Sequence, residues 1–269
     1  MPCRVSGASL GTPRHHLQHA RSSMSTKYYT RRSALRVISL VSLACLVRPF
    51  QVLAGSSKGE QSARSAHVPA DLERRLIEQG LLDVQTVDPS LLVDLKYARD
   101  DNFMGENVYG DLRRCYLHPE PALMLKKAQG CLQARHSGLA LLLLDGVRPR
   151  SVQQRMWEIV RNTPMQPYVA NPASGSMHNY GAAVDVTIAG ADGTLLDMGT
   201  GVDHFGILAQ PREEERFLSE GKLSAEQVAN RKLLRNVMIE AGFQPLAIEW
   251  WHFNAFDKEV TRRRYTIIE

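Results

Sequence analysis

A chain of 269 residues, of which 43% are hydrophobic, is long enough for one large domain or two small ones with a complete core. Its net charge of +5 does not indicate a nucleic-acid partner, because eight of the 33 basic residues lie in residues 1–54, where there is no acidic residue. The 25 basic and 28 acidic residues that follow form no basic stripe along which a phosphate backbone would lie.

The first 54 residues are typical of an export signal. Arg31 and Arg32 resemble the paired arginines of a twin-arginine signal, and Val52 and Ala54 are small residues before a cleavage point. The apolar run between them has about 11 residues, too few for the roughly 20 of a membrane-spanning helix. We therefore predict that residues 1–54 direct export to the periplasm or beyond, with no stable membrane insertion after cleavage; a disordered basic tail is the alternative.

Residues 55–69 are small and polar and predict a flexible leader, which places the folded domain at residues 70–269. Met24 is an alternative translation start, because the residues before it resemble neither a signal nor a domain. Cys115 and Cys131 remain after cleavage. In an oxidising compartment they could pair or stay as buried thiols, and the sequence does not decide between the two.

Helix and strand patterns alternate along the domain. Pro119 suits a first helical turn, Ser151 a helix cap, and Ser224 with Gln227 a capping box. The elements predicted in chain order are a helix at 70–80, a strand at 90–98, a helix at 119–138, a strand at 139–145, a helix at 151–162, a strand at 182–189, a helix at 224–242 and a strand at 246–253. This order predicts a compact α+β domain.

One acidic residue lies in the predicted strand 182–189. Val184, Val186 and Ile188 alternate with Asp185, so the Asp185 carboxylate points to the face opposite these aliphatic side chains. A buried carboxylate without a partner is costly, so it requires a cation, a metal ion or hydrogen-bond donors beside it. A strand aspartate held by an ordinary salt bridge or hydrogen bonds is the plainer alternative.

Histidines on either side of this strand make the metal interpretation stronger. His178 alone would be read as a loop histidine, but Glu249 and His252 lie between large aromatic residues near the chain end. His178, Asp185 and His252 offer the nitrogen and oxygen ligands of a catalytic zinc site, with a fourth position left to water. Such a site also needs a general base, for which Glu249 is the nearest candidate. Residues three apart face opposite sides of an ideal strand, so Glu249 and His252 can share a site only where the strand is interrupted.

The motifs together resemble a known family. "SMHNYGAAVD", of the form S-x-H-x-x-G-x-A-x-D, and the distant "EWWH" resemble the zinc D-Ala-D-Ala peptidases, in particular the D-alanyl-D-alanine dipeptidases of vancomycin-resistance type. "DLKYARDDNFMGENVY", "LLLLDGVRPRSVQQRMW" and "LDMGTGVDHF" resemble further stretches of that family in the same order. The resemblance spans nearly the whole predicted domain, and it implies an α+β fold with a small, mostly antiparallel sheet flanked by helices and the zinc site at the sheet.

The resemblance also implies a role for each matching residue. One zinc ion per chain would be bound by His178, Asp185 and His252, with Glu249 as general base and Arg148 stabilising the charge that develops on the scissile carbonyl. The residues that would line the small substrate pocket are Tyr97, Ser176 and Asp203. Ser176 as a turn residue and Asp203 as a loop cap are the alternatives. The chain departs from the family pattern at Val147, where tyrosine is frequent, and at His204, which adds an imidazole beside Asp203.

The predicted activity is hydrolysis of D-Ala-D-Ala and similar small dipeptides, with no nucleic-acid partner. A D,D-carboxypeptidase that acts on peptidoglycan stem peptides is one alternative, and it would need an open groove instead of a closed pocket. A non-catalytic zinc-binding module associated with the cell wall is the other, and Glu249 would serve no purpose in it.

Overall fold

The computed structural model describes residues 71–269. The predicted export signal and the leader, residues 1–54 and 55–69, lie outside the described residues. Within 71–269, no helix combines the length and the hydropathy that a membrane span requires.

The described chain is a mixed α+β domain, as predicted. Its helices are α1 (Asp71–Glu78), α2 (Val84–Val87), α3 (Pro119–Arg135), α4 (Arg150–Val160), α5 (Glu214–Ser219), α6 (Ala225–Ala241) and α7 (Lys258–Arg264). Its strands are β1 (Leu82–Asp83), β2 (Leu92–Val93), β3 (Tyr116–Leu117), β4 (Leu139–Asp145), β5 (Ala183–Gly190), β6 (Gln244–Pro245) and β7 (His252–Asn254).

The main sheet has five strands in the order β2-β4-β5-β7-β6, and a separate pair is formed by β1 and β3. Only β2 and β4 run parallel; every other pairing is antiparallel. Helices α3 and α6 pack against each other, and the main core lies between them and one face of the sheet. Val184, Val186 and Ile188 of β5 are fully buried in this core, which confirms the predicted alternation and leaves Asp185 on the opposite face.

The two long helices begin where their start signals predict them, and α6 also ends as predicted, whereas α3 ends at Arg135, before the predicted Gly138. Pro119 opens α3, while Ser224 and Gln227 make both hydrogen bonds of a capping box at the start of α6. Gly242 ends α6 in a left-handed conformation at φ +109°, which a residue with a side chain rarely adopts. Helix α4 differs slightly from the prediction, because Pro149 occupies the N-cap position and the Ser151 side chain makes no cap.

Two of the predicted strands are much shorter than their sequences suggest. In 90–98, only β2 is a strand, because the Tyr97 carbonyl accepts the backbone N–H groups of Val108 and Tyr109 in the next loop instead of continuing the ladder. In 246–253, the N–H of Leu246 donates to the His252 carbonyl and closes a turn between β6 and β7. The prediction of a continuous strand there was wrong. Because Glu249 lies in the turn and His252 begins β7, these two side chains, three residues apart, are not forced to opposite faces of the sheet.

Cys115 and Cys131, the two cysteines of the described domain, are both buried thiols. Cys115 lies directly behind the loop that follows β4, where a Cβ added at Gly146 would approach its Sγ to 2.5 Å. The sequence left open whether the two cysteines form a disulfide or stay as buried thiols, and the structure shows buried thiols.

Candidate functional site

The candidate site lies at one end of the sheet, on the face opposite the main core. Asp185 of β5 is paired in register with His252 of β7 on one side and with Asp145 of β4 on the other. The register shifts between Leu143 and Asp145, and this bulge turns the Asp145 side chain toward the face that carries Asp185. The sheet thus brings three polar side chains together where its strands would otherwise present apolar ones.

His178 reaches the site from a single 3₁₀ turn, Met177–Tyr180, just before β5. Ser176 caps the turn: its hydroxyl oxygen accepts the N–H of His178, and the Asn179 side chain accepts the N–H of Ser176. Gly181 ends the turn at φ +59°. The serine and the glycine of the motif S-x-H-x-x-G therefore set the two ends of the turn that positions His178.

The side chains of His178, Asp185 and His252 converge on one point. His252 Nδ1 lies 3.1 Å from His178 Nε2 and 3.1 Å from Asp185 Oδ1, and His178 Nε2 lies 3.4 Å from the same oxygen. Tetrahedral zinc with nitrogen and oxygen ligands at roughly 2.0–2.2 Å places those ligands about 3.3 Å apart. The three donors therefore have the chemistry and the separations of a zinc-binding set, and all three residues are buried.

The electrostatics of this cluster also favour a cation. Burial alone would raise the pKa of Asp185, but the His178 and His252 rings outweigh burial and hold the pKa well below its usual range. His178 Nδ1 lies 2.7 Å from the Gly146 carbonyl, so that nitrogen donates its hydrogen and the Nε2 lone pair faces the cluster. A buried carboxylate beside two histidine ring nitrogens is stabilised by a metal ion.

Glu249 lies beside the cluster without joining it. Its Oε2 is 4.0 Å from His252 Nδ1, beyond hydrogen-bond distance. Its turn is anchored by the two tryptophans that follow it, since Trp250 donates to Thr200 and Trp251 is buried in the core. Burial raises the pKa of Glu249 to about 8, and the nearby carboxylate of Asp185 contributes to the rise. A carboxyl group with a raised pKa is suited to accept a proton near neutral pH.

Arg148 is held in the site by Asp145, a residue that the sequence did not single out. Asp145 Oδ2 accepts hydrogen bonds from Arg148 Nε at 2.9 Å and Nη2 at 2.6 Å, while its Oδ1 accepts from the Tyr109 hydroxyl at 2.6 Å. Burial would lower the pKa of Arg148, but Asp145 keeps that pKa well above its ordinary value. Nη2 also lies 3.5 Å from Asp185 Oδ2, so a permanent positive charge borders the candidate metal centre.

A cavity of about 360 Å³ opens onto this cluster. Tyr97, Ser176 and Asp203, the predicted pocket residues, all line the cavity. The Tyr97 hydroxyl donates to Asp203 Oδ1 at 3.0 Å, whereas Asp203 Oδ2 is buried and has no hydrogen-bond partner. Burial raises the pKa of Asp203 to about 7, with the Asp185 carboxylate adding to the rise. Asp203 adopts φ +63°, a strained conformation for a residue with a side chain, and such strain is frequent at functional sites.

The structure brings together every residue that the sequence singled out for the site. Glu249, Arg148, His178, Asp185 and His252 line the cavity together with the three pocket residues. His204 does not line it and is exposed, so the extra imidazole stays outside the cavity. The cavity also has three lining residues with polar side chains that the sequence did not single out: Asn254, Lys258 and Tyr168.

Comparisons with known proteins agree with the geometry. The Peptidase M15 family model, described as D-ala-D-ala dipeptidase, matches residues 77–268. The D-alanyl-D-alanine dipeptidase of Escherichia coli (strain K12) is 34% identical over 173 residues, which cover 64% of this chain and 83% of that protein. The D-alanyl-D-alanine dipeptidase of Enterococcus faecalis (strain ATCC 700802 / V583) is 32% identical over 199 residues, which cover 68% of this chain and 94% of that protein.

Proposed function

The chain belongs to the D-Ala-D-Ala dipeptidase family of M15 peptidases, and from this premise we propose that it hydrolyses D-Ala-D-Ala and similar small dipeptides with one zinc ion. His178, Asp185 and His252 would hold the ion. The observation that carries the proposal is the convergence of their three donor atoms beside a buried glutamate that binds none of them.

The residues around the cluster divide the chemistry among them. When bound, a zinc ion polarises a peptide carbonyl and lowers the pKa of a water molecule. Glu249 accepts a proton from the attacking water and returns it to the departing amine, which its raised pKa favours. The Arg148 guanidinium stabilises the negative charge that develops on the carbonyl oxygen, and the Asp145 hydrogen bonds hold it in place before the substrate binds.

The charges of the cavity suit a substrate with both termini free. Asp203 presents a buried, unpaired carboxylate oxygen, which matches the ammonium group of a dipeptide. Lys258 lines the same cavity, is exposed, and forms no ion pair within the described residues, so it can meet the carboxylate at the other end. A peptidoglycan stem peptide carries no ammonium group next to its final peptide bond. The unpaired oxygen of Asp203 therefore favours the dipeptidase over the carboxypeptidase.

The Asp203→Asn variant tests this recognition. We expect a roughly 10- to 100-fold loss of kcat/KM for D-Ala-D-Ala, because a charge-assisted hydrogen bond contributes about 1.5–3 kcal/mol. N-acetyl-D-Ala-D-Ala lacks the ammonium group, so wild-type protein should cleave it poorly. Asp203→Asn should cleave this acetylated substrate no more slowly than wild type does. The exposed carboxylate of Asp111 provides a control, since Asp111→Asn should behave as wild type toward both substrates. Efficient cleavage of the acetylated substrate and of a pentapeptide stem by wild-type protein would select the carboxypeptidase instead.

We also propose that the enzyme acts outside the cytoplasm, where it would salvage D-Ala-D-Ala released from the cell wall. The acid-free basic opening and the apolar run within residues 1–54 support this. Fractionation of cells that express the full chain should recover a protein shortened by about 54 residues, the signal length read from its layout, in the exported fraction. Recovery of the uncleaved chain from the cytoplasm alone would contradict the proposal.

A further inference from the structure

The two histidines of the cluster face it with different ring nitrogens. His178 turns Nε2 inward, with Nδ1 against the Gly146 carbonyl. His252 does the reverse: Nδ1 lies 3.1 Å from both His178 Nε2 and Asp185 Oδ1, and Nε2 lies 2.9 Å from the side-chain oxygen of Asn254. The ring nitrogen that faces away from the cluster thus lies against a hydrogen-bond acceptor in both histidines. The acceptor is a backbone carbonyl for His178 and the Asn254 side chain for His252.

The position of Asn254 follows from strand geometry. His252 and Asn254 are two residues apart in β7, so their side chains project from the same face of the sheet, while Phe253 between them is fully buried in the core. β7 pairs with β5 in antiparallel register, His252 opposite Asp185 and Asn254 opposite Ala183. The Asn254 amide lies beside the imidazole edge that faces away from Asp185.

This contact decides which His252 nitrogen is free to bind a metal. A neutral imidazole carries one hydrogen, and the nitrogen without it supplies the lone pair. The Asn254 oxygen accepts a hydrogen bond, so it favours the form of His252 with the hydrogen on Nε2 and the lone pair on Nδ1. We infer that Asn254 is a positioning residue that holds His252 for metal binding through Nδ1. The inference rests on the proposed zinc site and adds to it a residue outside the ligand set.

The test compares two substitutions of Asn254 in metal-free protein titrated with zinc against a competing chelator. Asn254→Leu removes the acceptor and keeps a similar volume, and we expect it to weaken zinc binding roughly 10- to 100-fold, as loss of a contact behind a ligand commonly does. Asn254→Asp can only accept a hydrogen bond, so it should bind zinc at least as tightly as wild type. Asn230→Leu is the matched control, because Asn230 is a partly buried asparagine on α6 whose amide also makes a hydrogen bond, to the Asp197 carbonyl; it should leave zinc affinity unchanged.

A long-range ¹H–¹⁵N correlation spectrum of the zinc-loaded wild-type protein is a second test. It shows which His252 nitrogen carries the hydrogen, and it does not require that a variant folds. The expected spectrum has the His252 hydrogen on Nε2 and the shift of a metal-bound nitrogen on Nδ1. A hydrogen on Nδ1, or wild-type zinc affinity in Asn254→Leu, would overturn the role of Asn254 and leave the dipeptidase proposal intact. Wild-type protein that binds no zinc at all would instead refute the metal site and this inference with it.

Discussion

Replacing Glu249 with glutamine is expected to lower kcat for D-Ala-D-Ala by at least about 10²-fold, the effect that removal of a general base commonly has, while zinc binding is retained. Glu249 stands apart from the proposed ligands, since its Oε2 lies 4.0 Å from His252 Nδ1, beyond hydrogen-bond distance. Glutamine has the same shape but cannot accept a proton from water. Zinc content and steady-state kinetics of the purified variant would measure the two effects separately.

A stability measurement on metal-free protein shows whether the substitution preserves the fold. The pKa of Glu249 is raised from 4.5 to about 8 by burial, so the folded protein holds this proton more tightly than the unfolded chain does. Wild-type protein should therefore lose stability relative to Glu249→Gln as the pH rises from 4.5 to about 8, and above that range the difference should stay constant. Near-normal turnover by Glu249→Gln with zinc bound would show that the proposed base is wrong, and Asp203 would be the next carboxylate in the cavity to test.

Replacing Arg148 with methionine is expected to lower kcat roughly 10²- to 10³-fold, as the loss of an oxyanion-stabilising donor does, with a smaller change in KM. The guanidinium stabilises charge that is fully present only in the transition state. Because the substitution also removes the cation paired with the buried Asp145 carboxylate, which keeps only neutral hydrogen-bond donors such as the Tyr109 hydroxyl, the variant should be destabilised.

A double substitution separates the catalytic effect from the structural one. Arg148→Met combined with Asp145→Asn removes both members of the buried pair, so it should recover thermal stability relative to Arg148→Met while kcat stays low. If kcat returned together with stability, Arg148 would have a structural role and no part in stabilising the oxyanion. Kinetics and thermal unfolding of the two single variants and the double variant complete the cycle.

The sequence predicted the parts of the fold that depend on local signals. The start of α3 is set by proline, the two ends of α6 are set by a capping box and a glycine, and β5 is set by a strict alternation of aliphatic residues. The segment 246–253 was misjudged because its aromatic residues fit a buried strand equally well. In the structure those tryptophans anchor a turn, which is decided by long-range contacts such as the hydrogen bond from Trp250 to Thr200.

The candidate site was predictable in its residues but not in its supporting contacts. Motif spacing singled out the three candidate ligands and Glu249, because their residue types are unusual between apolar neighbours. Asp145 was missed because an aspartate at the end of a buried strand is ordinary in sequence, and only the bulge after Leu143 turns it toward Arg148. Asn254 was missed because its role depends on sharing a strand face with His252, in a strand whose start the sequence placed wrongly.

Zinc content and D-Ala-D-Ala hydrolysis, measured together before and after chelation, test the central claim most directly. We expect wild-type protein to bind one zinc ion per chain through His178, Asp185 and His252, chelation to abolish hydrolysis, and one equivalent of zinc to restore it. The His178→Ala, His252→Ala double variant should bind no zinc and show no hydrolysis. Stoichiometric zinc in that double variant, or full turnover by wild-type protein after the metal has been removed, would contradict the account.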